Sequence, residues 1–366
     1  MTVPIARPII GQAERENVMA VLDSGHLAEG DVVRQFEREF AAYCTAEHAV
    51  ATTNGTTALH AAIEALDLEP KTSILTTPFS FVATANAIRL AGHEPVFVDI
   101  DEDTYAIDPD RLADRLESTD RSIEAIIVVH LYGLTADMDP ILDIAAEYDI
   151  PVIEDAAQAH GATYRGRIAG SIGDIACFSF YPTKNMTTGE GGMIVTKHEA
   201  IADRLRRFID HGRGRGRYEH PDLGHNFRMT NIAAAIGRAQ LDRLPGFIAD
   251  RRENAARLTE ALSEAAVVTP TEPTGCRHVY HQYTIRSDRR DRIRERLAEA
   301  DIDSAVYYPT PIHQLESYAD IDASAPIAER VADEVLSVPV HPGVKQADID
   351  RIAAIVTGTV TSEVHP

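Results

Sequence analysis

The chain has 366 residues, with 57 acidic against 35 basic side chains and a net charge of −22. That balance excludes a basic nucleic-acid binder, which needs clustered Lys and Arg to neutralise phosphates. Hydrophobic residues at 44% provide for a sizeable core, yet no run approaches the roughly 18 apolar residues of a membrane span, so neither nucleic acid nor membrane is an expected partner.

Only four lysines occur, Lys71, Lys184, Lys197 and Lys345, so 31 of the 35 basic residues are arginine. Acidic surplus with scarce lysine predicts a halophilic-type surface that stays soluble at high ionic strength, where salt screens self-repulsion. Loss of fold at molar KCl would contradict this. The start, Met1–Ile10, lacks a basic stretch followed by a long apolar one, and the expected location is cytoplasmic. Cys44, Cys177 and Cys276 are odd in number and widely spaced, which reads as reduced thiols rather than a disulfide framework or zinc site.

Between residues 45 and 200, β-rich runs alternate with helical patterns. The runs are Ala49–Thr52, Ser73–Thr76, Pro95–Asp99, Ile123–Val129, Pro151–Glu154, Ile175–Phe180 and Met193–Thr196, with helices over Thr57–Leu66 and Phe81–Leu90 among those between them. This alternation predicts an α/β fold with a mostly parallel sheet flanked by helices. Beyond about residue 240 a long Arg-rich helix, Phe247–Ala265, leads to a strand over Val279–Arg286, a helix Arg289–Ala300 and a final helix near Ala347–Thr357. The expected division is a large domain over 1–245, with an N-terminal arm, and a smaller α+β domain over 246–366.

Ligands of an open parallel sheet sit beyond the carboxyl ends of its strands. Three such ends carry chemistry. Thr52-Thr-Asn54-Gly55-Thr56-Thr57 turns from strand to helix, and its free amides and hydroxyls form either a phosphate cradle or an ordinary helix cap. Pro151-Val-Ile-Glu154-Asp155 ends in two carboxylates, suited to a cationic ring nitrogen, a metal or a helix cap. In Cys177-Phe-Ser179-Phe-Tyr-Pro-Thr-Lys184, followed by Thr187-Thr-Gly-Glu-Gly-Gly192, a lysine in an apolar setting is a candidate amine nucleophile, with solvated surface lysine as the plain alternative. A phosphate cradle, a ring-nitrogen carboxylate and a Schiff-base lysine together describe a pyridoxal 5'-phosphate site.

With these motifs in that order, and with Ser24-Gly25, Phe36-Glu37, Pro78–Asn86, Pro95–Ile100, His130–Gly133, Glu154–Gly161, Gly173-Asp174 and Leu223–Met229, the sequence resembles the DegT/DnrJ/EryC1/StrS sugar aminotransferases, members of the fold-type I pyridoxal phosphate enzymes. The resemblance implies that Lys184 carries the cofactor and moves the proton between substrate carbon and cofactor carbon. It implies that Asp155 pairs with the pyridine nitrogen, that Gln158 lies near the phenolic oxygen, that Gly55, Thr56 and Ser179 hold the phosphate, and that Phe81 stacks on the ring. Asn226 would reach the phosphate of a neighbouring subunit, hence a homodimer with shared sites. His313 and Tyr308, within Tyr307–His313, correspond to a segment near the sugar pocket, and Arg228 is a further substrate candidate.

The implied reaction moves an amino group from L-glutamate, leaving 2-oxoglutarate, to a nucleotide keto sugar for surface glycans or related amino sugars. Relatives that dehydrate carry histidine at the Lys184 position, which favours transamination over a dehydratase. The Thr187–Gly192 turn is similar to that of members acting on 4-keto-6-deoxyhexoses. A non-catalytic cofactor-binding regulator of the same fold is the alternative from another class. His211-Gly-Arg-Gly-Arg-Gly-Arg217 fails the strand-to-helix context of a dinucleotide loop, and its arginines would suit a diphosphate or a solvated loop. His278-x-x-His281, on an expected strand, lacks helical ligand spacing, so no metal is expected.

Overall fold

The run Ile123–Val129 is apolar without alternation, as expected of a strand covered on both faces, and in the computed structural model its last five residues are buried. The structure describes residues 2–214, 216 and 218–361. In chain order the elements of the larger part are α1 (Gln12–Ser24), α2 (Asp31–Tyr43), β1 (His48–Thr52), α3 (Gly55–Ala65), β2 (Ser73–Thr76), α4 (Ala83–Leu90), β3 (Glu94–Phe97), α5 (Pro109–Ser118), β4 (Ile123–Val129), α6 (Met138–Glu147), β5 (Val152–Asp155), the short pair β6 (Thr163–Tyr164) and β7 (Arg167–Ile168), β8 (Ile175–Ser179), β9 (Gly192–Thr196) and α7 (Glu199–Ile209). There follow α8 (Asn231–Ala261), β10 (Cys276–Arg277), β11 (Tyr283–Arg286), α9 (Arg290–Glu299), α10 (Pro326–Glu334), β12 (Val335–Val338) and α11 (Gln346–Thr361).

Seven strands form one sheet in the order β1-β9-β8-β5-β4-β2-β3. Pairings from β8 to β3 are parallel, and β9 runs antiparallel to both of its neighbours. The sheet therefore has the mostly parallel character read from the sequence. One face packs Ala58, Ile63 and Ile88 of α3 and α4 against Ile127, Ile153 and Ile175. On the other, Phe36 and Phe40 of α2 meet Phe178, Phe180 and Met193.

The smaller part packs the two-stranded β11–β12 sheet under α9 and α11, with Tyr283, Ile285, Leu297, Val338, Ile352 and Val356 in its core. Two expectations are corrected here. The long helix begins at Asn231 rather than Phe247, capped by the Thr230 hydroxyl accepting from Ala233 N at 3.2 Å. Pro245 lies inside this helix, and buried Leu241, Leu244 and Ile248 hold the segment helical through it, so packing overrides the local breaker. His278 and His281 lie in the connection between β10 and β11, not on a strand. The proposed division at 245/246 falls inside α8, whose buried face passes from the first core to the second between Ile248 and Ala255.

Candidate active site

Sheet register brings the three chemistry-bearing strand ends together. Asp155 stands opposite Cys177 on β8, Ser179 lies two residues further along, and Gly192 on β9 links Ser179 to Thr52 on β1. Beyond these ends opens a cleft of about 970 Å³. Gly55, Thr56, Phe81, Asp155, Gln158, Ser179, Lys184 and Tyr308 all line it.

The cradle comes from helix geometry. Asn54 caps α3, its Oδ1 accepting from Thr57 N at 2.9 Å while Thr57 Oγ1 accepts from Asn54 N at 3.2 Å. That capping box leaves the Gly55 and Thr56 amides without partners among the described residues, at the positive end of the helix. Close approach fixes two glycines. A Cβ on Gly55 would sit 2.8 Å from the Ser179 Cβ, and one on Gly192 would sit 2.4 Å from the Asn54 carbonyl oxygen. We expect Gly55→Val to weaken pyridoxal phosphate binding about tenfold or more, read by absorbance titration, with the protein still folded.

Strand alternation separates the paired carboxylates. Glu154 faces away from the cleft and is fully buried, accepting from Gly170, Ile172 and Gly173 amides at 2.8–2.9 Å and from His130 Nε2 at 2.9 Å. His130 Nδ1 accepts from Ala136 N at 3.2 Å, which puts the imidazole proton on Nε2. Glu154 thus anchors the 170–173 turn. Asp155 faces the cleft, where burial pushes its carboxyl above the usual range against the opposing pull of Thr84, the Ala157 amide and Lys184. A cation placed beside it would reverse that shift.

Lys184 follows a turn closed by its own amide donating to Tyr181 O at 2.9 Å. Burial lowers its amine to about 8, against the attraction of Asp155. Gln158 is fixed at both ends: its Oε1 accepts from Tyr132 N and its Nε2 donates to Tyr308 Oη, each at 2.8 Å. Phe81 is 57% exposed in the cleft, a free ring face 6.4 Å from Tyr308. The donor set fits pyridoxal phosphate: free amides and hydroxyls for a phosphate, a carboxylate in need of a cation, an aromatic face and an amine of lowered pKa.

Three candidates stand elsewhere. His313 is outside the cleft lining, its Nε2 2.9 Å from Glu329 Oε1 and its ring against Phe97. Arg228 pairs with Asp210 at 2.5 Å and donates to Asn226 Oδ1, and exposed Asn226 bridges Asp210 just beyond α7, outside the cleft lining. Arg213 pairs with Asp210 at 3.1 Å, while Arg215 and Arg217 lie outside the described residues. Sequence reading missed Ser80, Thr84, Tyr181, Glu190, His281 and Gln282, which also line the cleft. Of these, His281 is buried, and burial with the nearby Lys184 holds it well below the usual histidine range, so it is neutral.

The sequence matches the DegT/DnrJ/EryC1/StrS aminotransferase family over residues 8–357. The chain belongs to this family. It is 41% identical to a pleiotropic regulatory protein of Geobacillus stearothermophilus, over 91% of each chain. It is 39% identical to GDP-perosamine synthase of Caulobacter vibrioides, over 96% of each. The crystal structure of S. venezuelae DesV in complex with a ketimine intermediate superposes with a TM-score of 0.91 at 35% identity, covering 95% of this chain and 94% of that one. No helix among the described residues is long and apolar enough to cross a membrane.

Proposed function

We propose that this family member is a cytoplasmic, pyridoxal 5'-phosphate-dependent aminotransferase that moves an amino group from L-glutamate to a nucleoside-diphosphate keto sugar, with a 4-keto-6-deoxyhexose the favoured acceptor. The observation that carries the reading is one cleft holding Lys184, Asp155 and the open amides of Gly55 and Thr56. When bound, the cofactor supplies an electron sink for the carbon that gains or loses the amine. Gly55, Thr56 and Ser179 hold its phosphate, Asp155 keeps its ring nitrogen protonated, and Gln158, locked between Tyr132 and Tyr308, stands by the phenolic oxygen. Lys184 Nζ removes the α-proton of glutamate and, in the second half-reaction, delivers a proton to the sugar carbon.

The proposed assembly is a homodimer. Asn226, exposed and two residues before Arg228, which bridges Thr52 at the end of β1, is the residue we assign to a neighbouring subunit's phosphate. The similarity to GDP-perosamine synthase supports a nucleotide sugar as acceptor and amino-sugar biosynthesis as the setting.

A regulatory reading has support from the name of the Geobacillus relative. The experiment that separates the two incubates the cofactor-loaded protein and glutamate with nucleotide 3-keto and 4-keto sugars, following amino-sugar product by mass spectrometry. Turnover with parallel double-reciprocal lines is expected; saturable cofactor binding without any product across the panel would favour the regulator.

A further inference from the structure

Two hydroxyls stand behind Asp155. Thr84 Oγ1 donates to Asp155 Oδ2 at 2.7 Å, and Ser80 Oγ lies 2.9 Å from Thr84 Oγ1. Since the Thr84 proton is committed to the carboxylate, Ser80 is the donor in the second bond. Both residues are buried, at 1% and 4% exposure, so water does not compete for these bonds. Hydroxyls near a helix start ordinarily serve as caps. Here Val82 holds the N-cap position of α4 and no side chain caps it, so these two are directed at Asp155 instead. Among the described residues the other carboxylate oxygen, Oδ1, accepts only from the Ala157 amide at 3.3 Å, a long bond that leaves acceptor capacity.

We propose that Thr84, with Ser80 behind it, is a positioning residue for the cofactor's ring nitrogen: its hydroxyl fixes the Asp155 carboxylate and favours its ionised form. The proposal rests on the reading that pyridoxal phosphate occupies the cleft with its ring nitrogen at Asp155. A hydrogen bond to the charged form of an acid stabilises that form, and short O–H···O⁻ bonds are among the stronger ones. Losing it raises the carboxylate's proton affinity and weakens its hold on a neighbouring pyridinium.

The test is nitrogen-15 NMR of holoprotein loaded with ring-labelled pyridoxal phosphate, titrated with pH. In the wild type the ring nitrogen should give a pyridinium shift at neutral pH. In Thr84→Val the ring proton should be lost with a midpoint about one unit lower, a tenfold change in proton affinity, and Thr84→Ser should restore it. Ser80→Ala, which keeps the Thr84–Asp155 bond, should move the midpoint the same way by less, and it carries the test if Thr84→Val does not fold. Unchanged midpoints in the folded variants, beside a protonated wild type, would overturn the role of Thr84. An unprotonated ring nitrogen in the wild type would instead overturn the assignment of Asp155, which separates the two failures.

Discussion

Replacing Lys184 by alanine is expected to cut turnover by about 10⁴-fold while leaving a folded protein. Among the described residues the lysine is the only amine lining the cleft, and it is the group assigned to both proton movements, so no neighbouring amine can take over. His281 and His160 lie near enough to feel its charge, but burial keeps both neutral and poorly basic, His160 down to about 3. Lys184→Arg should be equally inactive, because a guanidinium keeps its proton and cannot act as a base. The lowered amine pKa gives a second readout. Capture of pyridoxal phosphate by the cofactor-free protein needs the unprotonated amine, whose fraction rises with pH until it saturates above about 8. Stopped-flow absorbance should show the rate climbing through that value and levelling off. A rate still rising steeply toward 10 would mean that the pocket does not lower the pKa of Lys184.

How much of this was legible beforehand depended on whether a residue's role was set locally or by distant packing. The sheet was readable because its strands are short β-rich runs alternating with helical patterns, and Asp155 and Lys184 stood out as charges at or just beyond the ends of such runs. Lys184 stood out further because lysine is so scarce. Ser80 and Thr84 were not legible, since hydroxyls ahead of a helix look like caps, and only the fold reveals that they face Asp155, 71 residues from Thr84. The expected start of α8 at Phe247 missed sixteen residues from Asn231, a stretch that contains Pro245 and is held helical by its apolar face packed in the core with Phe36 and Phe178. Arg213, read as suiting a diphosphate or a solvated loop, and Arg228, read as a substrate candidate, share a carboxylate partner, Asp210, that the motif pattern did not point to. His313 was assigned from a segment that does border the cleft through Tyr308, Pro309 and Thr310, but its own ring turns to Glu329.

Asp155→Asn should separate the cost of the site from its use. The substitution preserves shape and can still accept from Thr84, so the fold should survive, yet it removes the charge that keeps a pyridine nitrogen protonated. We expect turnover to fall by about 10³-fold and pyridoxal phosphate to bind roughly tenfold more weakly. In the cofactor-free protein the effect on stability has the opposite sign. Burial raises the folded-state pKa of Asp155 above its unfolded value, so between the two the folded chain holds more protons than the unfolded one, and stability falls as pH rises through that window. Above that window the ionised carboxylate weighs against the fold, and a cation joining it offsets the cost. The cofactor-free Asn variant should melt at the same temperature as the wild type or higher, while the stabilisation gained on adding pyridoxal phosphate should shrink. Thermal unfolding of both proteins with and without cofactor measures this difference. A cofactor-free variant markedly less stable than wild type would show that the Asp155 charge serves the fold, and the assignment of that carboxylate to the ring nitrogen would lose its physical basis.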